Sequence, residues 1–337
     1  MSGLEGRRIA LIGGAGFIGH NLALHLKRAG AEVSVIDGLH VNNLLSFAAR
    51  SPDRHGRDLY LKIIHERLDL LHANGIAVHV QDARDYHGLS KLLGNVVKPD
   101  SIVHLAAVAH AGRSNKDPYS TFDHSLRTLE NALDYSRGAE LDHFVYLSSS
   151  MVYGNFDTAS VTEDHPLDPL GIYGALKVSG ERIVIAYNRV FGLPFTIIRP
   201  SALYGPRCVS RRVGQIFIEN ALKGQTLNVM GDGEERLDFT YIDDLLQGLS
   251  RVLTVPAAKG EVFNLTYGQA RTLNELLSAV QAQFPEAQVA RVPRDALIPF
   301  RGTLCIDKAR DLLGYSPEFP LEKGIPAYVD WYGDLGR

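Results

Sequence analysis

The apolar positions of the first two hundred residues fall into short blocks separated by longer amphipathic stretches. Residues 9–12, 33–36, 76–80, 102–105, 144–147 and 195–198 are brief, largely apolar and rich in Val and Ile. Such runs predict strands buried on both faces, as in a parallel sheet covered by helices. Between them the apolar spacing lengthens to three and four. Leu61, Ile64, Leu68 and Leu71 mark one helix, and the stretches at about 119–137 and 170–191 mark two more. Alternation of this kind implies right-handed crossovers and a doubly wound sheet. After residue 200 glycine and proline punctuate shorter elements, with helices predicted at 214–223, 242–253, 273–284 and 308–313. The expected fold is therefore α/β, with a parallel sheet in residues 1–200 and a smaller mixed α/β substrate lobe in 201–337. Whether the chain crosses back from the second part to the first stays open. A segment at about 39–75 reads as an insertion between the second and third strands, and its polar start at 51–57 as an exposed loop.

Composition narrows the class. Lys plus Arg number 35 against 38 Asp plus Glu, a net charge of −3, which leaves no electrostatic footprint for nucleic acid or an anionic membrane. Two cysteines, Cys208 and Cys305, do not make a disulfide framework and point to a reducing, cytoplasmic setting. No apolar stretch is long enough to cross a bilayer.

The first predicted strand runs straight into Gly13-Gly14-Ala15-Gly16-Phe17-Ile18-Gly19 and then a helix. Gly13 permits the tight turn, Gly16 lets a pyrophosphate approach the backbone, and Gly19 lets the helix pack on the sheet. The helix N-terminus offers free amides to the anion. Asp37 ends the second strand about twenty residues beyond Gly16, the offset of an acid that accepts both ribose hydroxyls and repels a 2′-phosphate. This predicts a Rossmann-type domain that binds NAD in preference to NADP. Asp82, at the end of the third strand, suits either the adenine edge or a helix cap.

A second constellation lies near the middle. Tyr173 and Lys177 are four residues apart, hence on one face of a helix. An ammonium beside a phenol lowers the tyrosine pKa from about 10 towards neutrality and makes it a usable acid or base. Upstream, Ser148-Ser149-Ser150-Met151 closes a strand and can place a hydroxyl beside a substrate oxygen.

With these residues the chain resembles the extended short-chain dehydrogenase/reductases that act on nucleotide sugars. The resemblance runs through the glycine turn, Asp37, Asp82, the 104–109 strand end, the serine strand and Tyr173/Lys177. It continues through the segments 199–207, 231–233, 236–244, 307–309 and 313–315. It implies NAD on Gly13, Gly16, Phe17, Ile18, Gly19, Asp37, Asp82, Ala83, Leu105, Ala106, Ala107, Tyr173, Lys177 and Pro200. It implies a nucleoside diphosphate sugar held by Ser149, Ser150, Met151, Arg236 and Arg301, the two arginines on the diphosphate. Tyr173 would remove a sugar hydroxyl proton, Lys177 would bind the nicotinamide ribose and tune Tyr173, and Ser149 would share the substrate oxygen. Ala202 and Ser125 stand where many relatives carry asparagine.

Dehydratases of this family place an acid–base carboxylate, and 3,5-epimerases a cysteine, where this chain has Met151. A thioether can relay no proton, so the resemblance favours an NAD-dependent epimerase acting at carbon 4. A nucleotide-sugar 4-dehydrogenase or reductase, a 4,6-dehydratase, and a non-enzymatic NAD-sensing scaffold remain alternatives. A homodimer is implied, built on the 119–137 helix and the helix of Tyr173. The stripe Leu126, Leu129, Leu133 fits that interface or simply the sheet. His104 and His110 are expected beside the cofactor cleft and His124 on the next helix. The three do not form a metal-ligand pattern, and no metal is expected.

Overall fold

Seven short apolar segments pair into one parallel sheet in the computed structural model, which describes residues 3–48, 56–108, 111–294 and 298–335. The strands are β1 (Arg8–Ile12), β2 (Glu32–Asp37), β3 (Ala77–Val80), β4 (Ser101–His104), β5 (His143–Leu147), β6 (Phe195–Arg199) and β7 (Glu261–Asn264). Their order is β7-β6-β5-β4-β1-β2-β3. Every residue of β4, β5 and β6 is buried, which is why these strands read as continuous apolar runs. Ile9 pairs with Val33 on one side and Ser101 on the other, so the strand order reverses between β1 and β4. Ligands of open α/β sheets bind in the crevice beyond such a reversal.

The six predicted strands sit within a residue or so of the observed ones. The seventh was not predicted, and it lies beyond residue 200. Helix Ile242–Thr254 likewise packs on helix α1 (Phe17–Arg28), so the second half of the chain completes the first layer before it builds its own.

Between β2 and β3 the insertion carries a short turn of helix, Leu44–Ala48, and then α2 (Arg57–Ala73). The expected exposed loop lies, except for Gly56 and Arg57, outside the described residues. The buried face of α2 is Tyr60, Ile63, Ile64, Arg67 and Leu71, whereas Leu61 and Leu68 are only partly buried. It packs under the C-terminal helix, Leu321–Leu335, where Trp331 and Leu335 meet Ile63 and Ile64.

The predicted 119–137 helix is present and runs unbroken from Pro118 to Gly138, with one π-turn inside it. Pro118–Phe122 is followed by a π-turn, Asp123–Arg127, and then α3 (Thr128–Gly138). Leu129 and Leu133 are fully buried, and Leu126 nearly so, against sheet residues such as Phe144 and Ile102. Of the two readings of this stripe the structure takes the sheet. No helix among the described residues is long and apolar enough to cross a membrane.

Candidate active site

Two connected cavities open along the carboxyl ends of the strands. The first, about 920 Å³, is lined by Gly13, Gly16, Phe17, Ile18, Gly19, Asp37, Asp82, Ala83, Leu105, Ala106 and Ala107. All eleven were predicted for the cofactor. Gly13 has φ +82°, and a Cβ there would lie 2.7 Å from the Ala106 amide nitrogen, so only glycine lets this turn lie against the end of β4. No side chain caps α1 at Gly16, which leaves its first-turn amides facing the cavity for an anion. The Asp37 carboxylate accepts from the amides of Leu39 (2.7 Å) and Ala15 (3.0 Å). Burial raises its pKa, and these two amides pull it back. Each oxygen retains acceptor capacity for a ribose hydroxyl. A glycine cradle, open amides and an unblocked acid fit a dinucleotide.

Asp82 lines this cavity too, yet its carboxylate is gripped by Arg84, with Nη2 at 2.6 Å and Nε at 3.1 Å, and Arg84 reaches on to Asp123. Asp82 caps no helix; Asp85 does, accepting from the Gly88 amide. His124 lines the cavity, with its pKa lowered by burial. His104 does not. It is wholly inside the sheet between Phe144 and Tyr146, where burial holds its pKa near 3 and the ring neutral. His110 lies outside the described residues. Among the described residues no group of His, Cys, Asp and Glu could hold a metal ion.

The second cavity, about 1640 Å³, shares Ile18, Leu105, Ala107 and Arg212 with the first and contains Ser149, Ser150, Met151, Tyr173, Lys177, Pro200 and Arg301. Strand β5 delivers the serines at its end, and Ser149 starts a single helical turn by accepting from the Met151 amide (3.2 Å). Helix α4 (Ile172–Phe191) lies against that turn, and a Cβ on Gly174 would sit 2.6 Å from the Met151 carbonyl oxygen. This close approach brings the half-buried Tyr173 phenol near enough to Ser149 for that hydroxyl to lower its pKa.

The electrostatics differ from the expectation. Burial pushes the Tyr173 phenol above its ordinary value. Ser149 and then the Arg212 guanidinium pull it back, and Lys177 is not among the groups that do. The Lys177 ammonium donates to the Leu147 carbonyl and lies 4.8 Å from the centre of the Tyr146 ring. Burial brings its pKa down to about 7, with Glu181 opposing. The lowering of Tyr173 expected from Lys177 comes instead from Ser149 and Arg212.

This has a measurable sign. A lysine pKa lower in the folded than in the unfolded chain penalises the folded state fully below about pH 7, and the penalty fades as pH rises to 10.5. Lys177→Met should therefore compare most favourably with the unsubstituted cofactor-free chain below pH 7. Urea midpoints at pH 6 and pH 9 test this, and an equal difference at both would show that Lys177 titrates normally.

Arg301 lies in the cavity with Nη1 3.9 Å from the Met151 sulfur and Nη2 3.9 Å from Glu235. Burial lowers its guanidinium pKa to about 10. Arg236 does not line the cavity. It sits on the two-residue strand Arg236–Leu237, where alternation turns Leu237 inward and Arg236 outward, its Nη1 donating to the Ala270 carbonyl at 3.2 Å. Sequence reasoning missed Arg211, Arg212, Glu235 and Tyr204 of this cavity and Arg67 of the first. The Nε atoms of Arg212 and Arg301 are buried without a partner, as befits groups awaiting an anion. Ala202, also in the lining, has φ +37°, a conformation asparagine tolerates better than alanine.

A model of the NAD dependent epimerase/dehydratase family matches residues 9–266. The uncharacterized UDP-glucose epimerase YtcB of Bacillus subtilis is 31% identical over 251 residues, 73% of this chain and 78% of that one. The UDP-glucuronic acid 4-epimerase of Bacillus cereus, solved with UDP-glucuronic acid and NAD, superposes with a TM-score of 0.86 at 28% identity, covering 97% of this chain and 99% of that one. DesIV, a dTDP-glucose 4,6-dehydratase of Streptomyces venezuelae solved with NAD, gives 0.84 at 28% identity, with 97% of both chains covered.

Proposed function

The chain belongs to the NAD-dependent epimerase/dehydratase family, and on that premise we propose that it inverts carbon 4 of a nucleoside diphosphate sugar through a transient 4-keto sugar. The observation that carries this reading is the cavity wall around Tyr173, where Ser149 and Ser150 are followed by Met151. Elimination across carbons 5 and 6 needs an acid–base group at this place, and a thioether offers none; the carboxylate of this cavity, Glu235, faces Arg294 and Arg301 instead. Epimerisation needs only a base for the 4-hydroxyl, a donor for the ketone oxygen and room for the sugar to turn.

When bound, NAD would supply a positively charged ring that accepts the carbon-4 hydride and returns it to the other face of the ketone. Gly13, Gly16 and the first-turn amides of α1 would hold its pyrophosphate, and Asp37 its adenosine ribose. Tyr173 takes the 4-hydroxyl proton as the 4-keto sugar forms and gives it back to the same oxygen once the sugar has turned. Ser149, which draws the Tyr173 phenol down, holds the same oxygen. Lys177 binds the nicotinamide ribose. Arg212 and Arg301 hold the diphosphate, their guanidinium forks suited to phosphate oxygens. We further infer a cytoplasmic homodimer with a role in carbohydrate biosynthesis. Tyr119 and Phe122, exposed at the start of the 118–138 helix beside α4, and Ile172 at the start of α4 support the shared helical face.

Product analysis by NMR decides the reaction. Incubated with UDP-glucose or UDP-glucuronate and no added cofactor, the purified protein should form the 4-epimer with no net NADH. Stoichiometric NADH at 340 nm would make it a dehydrogenase, and a 4-keto-6-deoxy product a dehydratase.

A further inference from the structure

The buried face of α2 contains a cation. Arg67 occupies a position between Ile64 and Leu71 that helical spacing reserves for an apolar side chain, and it is 1% exposed. Its Nε donates to the Arg207 carbonyl at 2.9 Å, and its Nη2 donates to the same oxygen. Its Nη1 is buried and has no hydrogen-bond partner. The side chain nevertheless lines the first cavity, with Gly13, Gly16, Phe17, Asp37 and Ser210.

The groups around it account for the charge only in part, through Asp37. Burial lowers the guanidinium to about pKa 10, which leaves it a cation at neutral pH. Of the groups that act on it, Cys208 and Tyr328 are themselves pushed up by burial and are neutral, and Arg207 repels it. Asp37 is the remaining anion of that set, and both its oxygens accept from backbone amides. A buried cation with one donor unsatisfied is costly unless something else completes its shell. The polar space in front of it is the dinucleotide cavity, where α1 already presents open amides.

We propose that Arg67 is a further dinucleotide-binding residue, whose free Nη1 donates to the pyrophosphate. The insertion between β2 and β3 thereby gains a role in binding, since α2 carries this guanidinium under the cofactor. The same side chain holds the carbonyl of Arg207, which heads the segment leading to Arg211 and Arg212 of the second cavity. This rests on the proposed function in one respect, that the dinucleotide must stay bound while the sugar turns, and so gains from an extra anchor.

The test is binding, not turnover. Titration calorimetry of the cofactor-free protein with NAD, ADP and adenosine, at low and high salt, is run on wild type, Arg67→Gln and Arg67→Lys, with melting temperatures of each. Arg67→Gln should bind NAD and ADP about 10- to 100-fold more weakly, the span of a charge-assisted hydrogen bond. Adenosine, which has no phosphate, should be little affected, and the variant's NAD affinity should depend less on salt. Arg67→Lys should recover part of the NAD affinity by restoring the charge. Wild-type affinity of Arg67→Gln for NAD and ADP, or an equal loss for adenosine, overturns the proposal and leaves Arg67 a prop for Arg207. Should Arg67→Gln fail to fold, Arg67→Lys decides: a partial loss for NAD and ADP that adenosine does not share supports the proposal, and unchanged affinity for NAD and ADP, or an equal loss for adenosine, overturns it. Loss of epimerase activity on every sugar tried would sink the proposed reaction and leave this result standing.

Discussion

Tyr173→Phe should lower kcat by about 10²–10⁴-fold, the usual worth of a positioned proton-transfer group, while NAD and the nucleotide sugar still bind. The substitution removes one oxygen and keeps the ring that fills the cavity wall beside Ser149 and Lys177. Burial holds the phenol above its ordinary pKa in the cofactor-free chain, and only Ser149 and Arg212 draw it down. Burial thus keeps the phenol protonated at neutral pH. Two measurements follow. kcat/KM of the NAD-loaded wild type should rise with pH to a plateau as the phenol ionises, and the residual rate of Tyr173→Phe should lack that rise. NAD affinity by calorimetry should change by less than about threefold, since the phenol contributes no charge to binding. A variant that keeps its turnover within about threefold of wild type, or keeps the pH rise, would remove Tyr173 from the proton path.

The cofactor cavity was legible because it is written in local rules. A strand, a glycine turn and a helix start are adjacent in sequence, and Asp37 follows at a fixed distance along the next strand. Tyr173 and Lys177 were legible for the same reason, one helix face four residues apart. The strand β7 was not, because Glu261–Asn264 is four residues long and its pairing partner Thr196–Arg199 is some sixty residues away. Arg236 shows the sharpest limit. A strand reverses its facing with every residue, so a motif placed one position along puts the guanidinium outside and Leu237 inside. Arg67 was hidden by the opposite effect. Hydrophobic spacing places α2 correctly but is blind to a charge on the buried face, although Tyr60, Ile63, Ile64, Arg67 and Leu71 follow the helical period. The pKa of Tyr173 was beyond reach because it depends on burial and on Arg212, which approaches from the second half of the chain.

Breaking the pair Glu181–Arg199 should destabilise the protein by about 3–5 kcal/mol. Helix α4 presents Tyr173, Lys177 and Glu181 at successive intervals of four, hence along one face. Arg199, the last residue of β6, donates to Glu181 through Nη2 at 2.6 Å and Nε at 2.9 Å, a bidentate fork with the side chains only 5% and 2% exposed. The same guanidinium donates to the Tyr153 hydroxyl (2.9 Å) and the Glu163 carbonyl (2.8 Å), and Ser148 donates to Glu181. One network therefore ties the helix of Tyr173 to the strand end that carries Ser149. Arg199→Met keeps much of the packing volume but leaves a carboxylate buried without its cation, which is where most of the cost arises. The urea midpoint should fall accordingly. The double variant Arg199→Met/Glu181→Leu removes both charges and should recover a large part of the lost stability. Activity separates packing from positioning. If the network aims α4, the double variant regains its fold and still turns over sugar more slowly, with kcat reduced and NAD affinity kept. If it serves only to satisfy buried charges, stability and kcat return together.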